Sequence, residues 1–398
     1  MKKILNRYAG QVKRYIKDLT YRMDDTAQGI VFWSEGLPKI LQSAVKCITF
    51  TIHDFVRFLR DFPRVKAFRL TGNEWSVVFV GGDDEYRVIE DLIFQDQEVQ
   101  VELLSKVLVW KLPAQTTFWL ESGVDLVICE LSRLFPWKPT AQYSFTGPDL
   151  VVQVLQLPEN LEDLLIGRRI EGNRRWIRKA EKQGLSYRFT RSLKDLEFFH
   201  REMYVPFIGG RHGETAHLSS LEDHERWLKY GGLILVSLNE ELIGGAIVTR
   251  SGEMCHFIEY GILHGDSELL KKGAVSLVVW SCLQWAKEQG AERFDLGGSQ
   301  PWCSHGILQY KSKWGARVEQ FRLGSRPKRT YLSNRLPESL RERINEIGWV
   351  SEAGGKHYCV NIPAGNEELD DDRVQEALRR GLDGSVIIRP GSVHLITG

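Results

Sequence analysis

Three apolar runs, at 233–238, 242–250 and 254–263, are separated only by the short polar turns Asn239-Glu240 and Ser251-Gly252. Apolar runs of this length joined by tight turns read as an antiparallel meander. A helical stretch from 267 to 289 follows and ends at Gly290. The sequence Arg293-Phe294-Asp295-Leu296-Gly297-Gly298 then supplies another strand, running into glycines. A sheet followed by a helix that must cover it constrains this part of the chain to an α/β or α+β layer architecture.

The rest of the chain is read around that block. Upstream, strand-like runs (CITFTI from Cys47, AFRL, WSVVFV) alternate with helical patterns (HDFVRFLRDF, VELLSKVLVW, DLVICELSRLF). Pro136-Trp137-Lys138-Pro139 breaks the pattern, and a strand is expected in 149–157. Asn173 caps a short helix that Gly184 ends, Ser192 opens a helix expected to stop before Pro206, and Ser220 with Asp223 forms a capping-box start. Downstream of 322, helical (LPESLRERINEIG, VQEALRRGL) and strand-like (KHYCVNI, SVIIRP, SVHLITG) pieces form a small α+β appendage. The expected domains are therefore 1–148, 149–322 and 323–398.

At 398 residues and 42% hydrophobic content, the chain has enough apolar material for large cores, which excludes disorder as its main state. Its net charge of +1 is an average. Residues 1–22 carry +6, residues 168–191 carry +7, and the remainder is acidic. This argues against a protein coated in basic surface for nucleic acid, while leaving local sites for an anionic ligand. The six cysteines are scattered singly and read as reduced thiols of a cytoplasmic protein. No apolar stretch is long enough for a membrane span. Residues 1–20 form an amphipathic basic helix, which either packs on its own domain or makes peripheral contact with an anionic membrane. No His/Cys/Asp/Glu spacing suggests a metal, and neither a Gly-x-Ser-x-Gly nor a papain-like cysteine context suggests a covalent nucleophile.

Three blocks carry a resemblance. NRRWIRKAEKQGL (173–185) is similar to the basic helix of the FemAB-like (BioF2-like) branch of the GNAT acyltransferase superfamily. VVWSCLQWAKEQGAERFDLGG (278–298) resembles that branch's helix and following strand, and HGILQYKSKWGARVEQF (305–321) its closing segment. The resemblance covers about 151–322. It implies a GNAT-type fold, with 1–148 as a second, degenerate GNAT-like domain in tandem. It also implies acyl transfer to nitrogen, with two donor chemistries in the family. One takes acyl-coenzyme A, commonly acetyl-coenzyme A, to an amine on a sugar or small molecule. The other is an aminoacyl-tRNA-dependent peptidyl transfer to a cell-wall precursor. A contrasting class is a non-catalytic binding protein that keeps the fold, since the family's Q/R-x-x-G-x-G/A phosphate loop is replaced by Lys271-Lys272-Gly273-Ala274.

Candidate residues follow from what acyl transfer needs: proximity, a neutral amine and a stabilised oxyanion. Lys271, Lys272 and Gly273, at a helix start, are candidates for donor phosphates; the alternative is an exposed helix turn. Lys311, after an aromatic and between glycines, is a donor contact or a strand lysine paired with a surface carboxylate. Tyr310 and Trp314 beside it are substrate contacts. For the base, Asp295 competes with a role capping its glycine turn, Glu259 with cross-strand pairing to Arg250, and His305 with a structural role. Tyr204, Arg211 and His212 fall in an expected long loop facing the acceptor, or in a lid without contact.

Overall fold

The computed structural model describes residues 64–82, 85–95, 97–132, 143–212, 218–320, 327–364, 371–390 and 392–397, with a few helical positions between 41 and 55. The basic helix expected in 1–20 and the Pro136–Pro139 break lie outside these residues. The chain divides into two compact units: residues 1–151, 298–309 and 318–398 form one, and 152–297 with 310–317 form the other.

In the first unit the six-stranded sheet has the order Gln100–Leu108, Arg64–Thr71, Ser76–Gly81, Leu126–Glu130, Lys328–Leu332, Ser144–Gly147. The pairing of Ser76–Gly81 with Leu126–Glu130 is parallel. Successive side chains alternate between faces, so these apolar strands feed two cores. Val77, Phe79, Leu126 and Ile128 pack on one side. Val78, Val80, Val127 and Cys129 pack on the other.

Two segments expected to be helical, VELLSKVLVW and DLVICELSRLF, are thus strands at Gln100–Leu108 and Leu126–Glu130. Conversely Ile48, Thr49, Thr51 and Ile52, expected in a strand, are helical. Short apolar runs do not distinguish a doubly buried strand from a buried helix by periodicity, and sheet partners far along the chain decide.

The C-terminal region is not a separate appendage. Its strand Lys328–Leu332 pairs antiparallel with both Leu126–Glu130 and Ser144–Gly147, inside the sheet. The remaining strands form a four-stranded sheet, Val350–Ala353, Lys356–Asn361, Gly384–Arg389, Ser392–Thr397.

The second unit holds the meander as Gly231–Leu238, Glu241–Ser251 and Met254–Ile262. Asn239 and Glu240 both take positive φ (53° and 68°), as a type I′ hairpin turn requires. Ser186–Thr190 extends the sheet on one side, and Arg293–Ser299 followed by Val151–Gln156 on the other. Leu233, Leu235 and Ile247 face one core. Ile234, Val236, Ala246 and Val248 face a larger one, built on the helix Ala274–Glu288. Each fully buried Val, Leu or Ile side chain among these contributes about 1.5–3 kcal/mol of transfer free energy.

Three local details differ from the sequence reading. Asn173 lies within the first turn of the helix Glu171–Lys182, whose N-cap is Ile170. The helix opened by Ser192 passes through a π-turn, Phe199–Tyr204, and continues as Val205–His212 beyond Pro206. Proline is tolerated there because it sits in the first turn of the new α segment. Tyr204, Arg211 and His212 are therefore helical and not in a long loop; the His212 side chain lies outside the described residues.

Candidate active site

The strands Met254–Ile262 and Arg293–Ser299 run parallel for three residue pairs only, ending at His256 and Asp295. Beyond that point Met254–Ile262 stays on Glu241–Ser251, with a bulge between Phe257 and Glu259, while the other strand departs. Gly297 sits at this parting with φ +81°. A Cβ there would stand 3.3 Å from the Phe257 carbonyl oxygen and 3.9 Å from Lys311 Nζ.

Asp295 and Lys311 are brought together here. One Asp295 oxygen accepts from the Gly297 N–H at 2.7 Å, and the other faces His256 Nδ1 at 3.2 Å. The turn so fixed aims the Gly297 carbonyl at Lys311 Nζ, which donates to it at 2.8 Å. Lys311 belongs to a helix, Gly306–Lys313, not to a strand, and is only 9% exposed. Burial pulls its ammonium down to about 8, against the opposing pull of the Asp295 charge.

Glu259 gathers a second group. Its carboxylate accepts from Ser219 Oγ at 3.0 Å and from the Tyr204 hydroxyl, and Tyr204 accepts from the Ser219 N–H at 3.0 Å. Burial raises both the Glu259 carboxyl and the Tyr204 phenol above their ordinary values. The expected cross-strand partner Arg250 instead donates to the Gly252 carbonyl. Tyr204 reaches Glu259 because Gly261 lets the π-turn approach: a Cβ at 261 would lie 2.5–2.7 Å from Met203 and Tyr204 backbone atoms. His224 packs edge-on to Tyr204 with its Nδ1 3.2 Å from that of His200. Burial lowers both imidazoles, His224 to about 4, so the pair is neutral at pH 7.

Next to Glu259, the Tyr260 ring packs at a tilt against both Phe207 and Phe257, with centroids 5.2 Å from each. Arg211 lies over Phe207 at 5.3 Å and hydrogen-bonds Tyr260. Tyr310 joins Ser276 Oγ at 3.2 Å, and Ser276 donates in turn to Asn173 Oδ1 at 3.1 Å, at the start of the helix Ala274–Glu288. Burial moves the Tyr310 phenol up to about 12, so it is a proton-bearing group at neutral pH.

The candidate phosphate residues surround that helix start. Gly273 takes φ +79°, and the Trp176 ring occupies the space a Cβ would need, 2.6 Å away. Arg175 and Lys179 lie over the same Trp176 ring at 5.3 and 5.7 Å. Lys272 is exposed, and Lys271 is exposed in an ion pair with Glu268 at 2.8 Å. Trp314 is 1% exposed within the main core, which makes it a packing residue and leaves it no surface for a substrate. His305 falls in the other unit, where its carbonyl accepts the Gln309 N–H in the first turn of a helix. Sequence reasoning missed Ser219, His256 and Ser276 as parts of these groups. Arg175 and Lys179 belong to the basic stretch 168–191, which the sequence already marked as a local site for an anionic ligand. Among the described residues, no group of three or more His, Cys, Asp or Glu side chains is arranged to hold a metal.

Residues 168–312 match the family model of the acetyltransferase (GNAT) domain. This segment is a GNAT acyltransferase domain. The match spans the basic helix, the meander, the parting strands and Lys311. The GNAT part of the resemblance and the α/β expectation are thereby borne out. No curated protein matches the chain. Among solved structures, L-PGS from Bacillus licheniformis is 15% identical, with 74% of this chain and 92% of that one covered and a TM-score of 0.34. FemX is 11% identical, with 70% and 90% covered and a TM-score of 0.36. The C-terminal domain of a putative lysylphosphatidylglycerol synthetase from Agrobacterium fabrum is 11% identical, with 70% and 87% covered and a TM-score of 0.34. Scores this low support no reading of a shared mechanism or substrate.

Proposed function

We propose that the GNAT domain moves an acyl group from acyl-coenzyme A to an amine on a sugar or small molecule, at the parting of Met254–Ile262 from Arg293–Ser299. The observation that carries this reading is Lys311: a buried lysine, pulled down to about 8, held on the Gly297 carbonyl where the strands diverge. A cation kept at low local polarity stabilises a developing oxyanion far better than one in water. Glu259 is the candidate proton acceptor for the attacking ammonium, since a carboxyl raised by burial is a better base than an ordinary one. Tyr310 is a proton donor available to the departing thiolate. Arg175, Lys179 and Lys272, around the start of Ala274–Glu288, suit donor phosphates.

A second reading, transfer from aminoacyl-tRNA in the manner of the FemAB-like branch, is favoured by one observation. The Trp176 ring packs directly on Gly273, where Lys271-Lys272-Gly273-Ala274 stands in place of the family's phosphate loop. Isothermal titration separates the two. Acetyl- and longer acyl-coenzyme A are expected to bind wild type and to bind Lys272→Ala at least several-fold more weakly. No binding of any thioester, with salt-sensitive binding of aminoacyl-tRNA, overturns the first reading in favour of the second.

A further inference from the structure

The six cysteines look isolated in sequence, yet Cys303 and Cys359 meet in the first unit. The segment around Cys303 is fixed against the turn after the helix Glu338–Ile347. Val350 N–H donates to the Pro301 carbonyl at 2.8 Å, Cys303 N–H to Gly348 at 2.9 Å and Ser304 N–H to Ile347 at 3.2 Å. Cys359 stands opposite Val350 in the neighbouring strand pair. Between them Gly348 takes φ +63°. The place of its missing Cβ is 2.9 Å from Cys303 Cβ, 3.3 Å from Cys359 Sγ and 3.5 Å from Cys303 Sγ. The Cys359 thiol donates weakly to the Val360 carbonyl at 3.9 Å. Both line a cleft of about 490 Å³ with Gln309, Asn345, Arg373 and Arg380. By contrast Cys129, Cys255 and Cys282 are wholly buried.

We propose that Cys303 and Cys359 are a redox-active dithiol that a low-molecular-weight disulfide entering this cleft converts to an intramolecular disulfide. Cys359 thiolate attacks the S–S bond of the small disulfide and displaces one thiolate, leaving a mixed disulfide. Cys303 thiolate then attacks Cys359 Sγ, breaking the mixed bond and displacing the second thiolate. The two protons lost by the cysteines leave with the two small thiols, so two protein thiols are oxidised as one small disulfide is reduced. This order follows from the pair itself. The neighbouring Cys359 thiol, and after it burial, hold the Cys303 thiol well above its ordinary range, so Cys303 is the poorer first nucleophile of the two. Gly348 suits this arrangement because a side chain there would be strained at φ +63° and would crowd Cys303 Cβ and both sulfurs. The bond would close a ring over residues 303–359, long enough to restrict the unfolded chain substantially.

Oxidised glutathione is the probe, applied to the full chain, with peptide mapping after alkylation and thermal unfolding as readouts. Wild type is expected to lose two titratable thiols, to yield a linked Cys303–Cys359 peptide, and to melt several degrees higher than its reduced form. Cys303→Ser is expected to stop at a stable glutathione adduct on Cys359, and Cys359→Ser to take up little. A wild-type protein that keeps both thiols free, or that stops at the mixed disulfide, overturns the proposal. So does a linked peptide involving another cysteine.

Discussion

Lys311→Met separates what the lysine does for the fold from what it does for the reaction. Below pH 8 the folded protein holds this ammonium charged although burial has brought it from 10.5 to about 8. That difference disfavours the charged folded state by about 3 kcal/mol. The unfolded chain binds more protons between pH 8 and 10.5, so the stability of wild type rises with pH across this window. Methionine fills a similar volume without the charge and forfeits the hydrogen bond to Gly297, worth roughly 1.5–3 kcal/mol. The variant is therefore expected to be equal to wild type or up to about 2 kcal/mol more stable at pH 7, and less stable than wild type near pH 10.5. Urea unfolding of both proteins across that range measures the crossing. Acyl transfer by the same variant should fall at least about 100-fold, because a buried cation aimed at developing charge is lost. A stability difference that does not change with pH would refute the assignment of a depressed, buried lysine. So would full activity in the variant.

Two further substitutions probe the neighbouring groups. Glu259→Gln should lower the acyl-transfer rate by roughly 100-fold or more. It should also leave stability at pH 7 unchanged or raised, since burial disfavours the ionised carboxyl in the folded state and the gain vanishes as acid protonates it; rate and urea midpoint against pH check both. Gly261→Ala should cost about 1–3 kcal/mol and weaken activity, because its methyl meets backbone atoms of Met203 and Tyr204, which cannot swing aside as a side chain can. A wild-type melting temperature in this variant would contradict the close approach.

The parts of this fold that were legible in sequence are those whose causes are local. The hairpin at Asn239-Glu240, the capping box of Ser220 and Asp223, and the αL glycine ending Glu171–Lys182 each depend on residues within a few positions. What was illegible depends on partners distant in the chain. Lys328–Leu332 completes a sheet begun more than 200 residues earlier, so no pattern in the tail could announce it. Glu259 meets Ser219 across 40 residues, and Arg175 and Lys179 lie over the Trp176 ring, which packs on Gly273 far along the chain. Pro206 misled because a π-turn supplies a fresh helix start in front of it. Lys311 was visible as a candidate from its glycine and aromatic neighbours. Its burial and its hold on Gly297 arise from the parting of two strands, which spacing does not encode.

The central claim is that a thioester donor reacts with an amine where those strands part. The most direct measurement is the release of free coenzyme A thiol from acyl-coenzyme A, followed with a panel of amino sugars and small primary amines. Wild type is expected to release thiol only when an amine is present, with Lys311→Met and Glu259→Gln both reduced at least about 100-fold while folded. Thiol release that is absent with every amine, or that persists undiminished in both variants, would contradict the account.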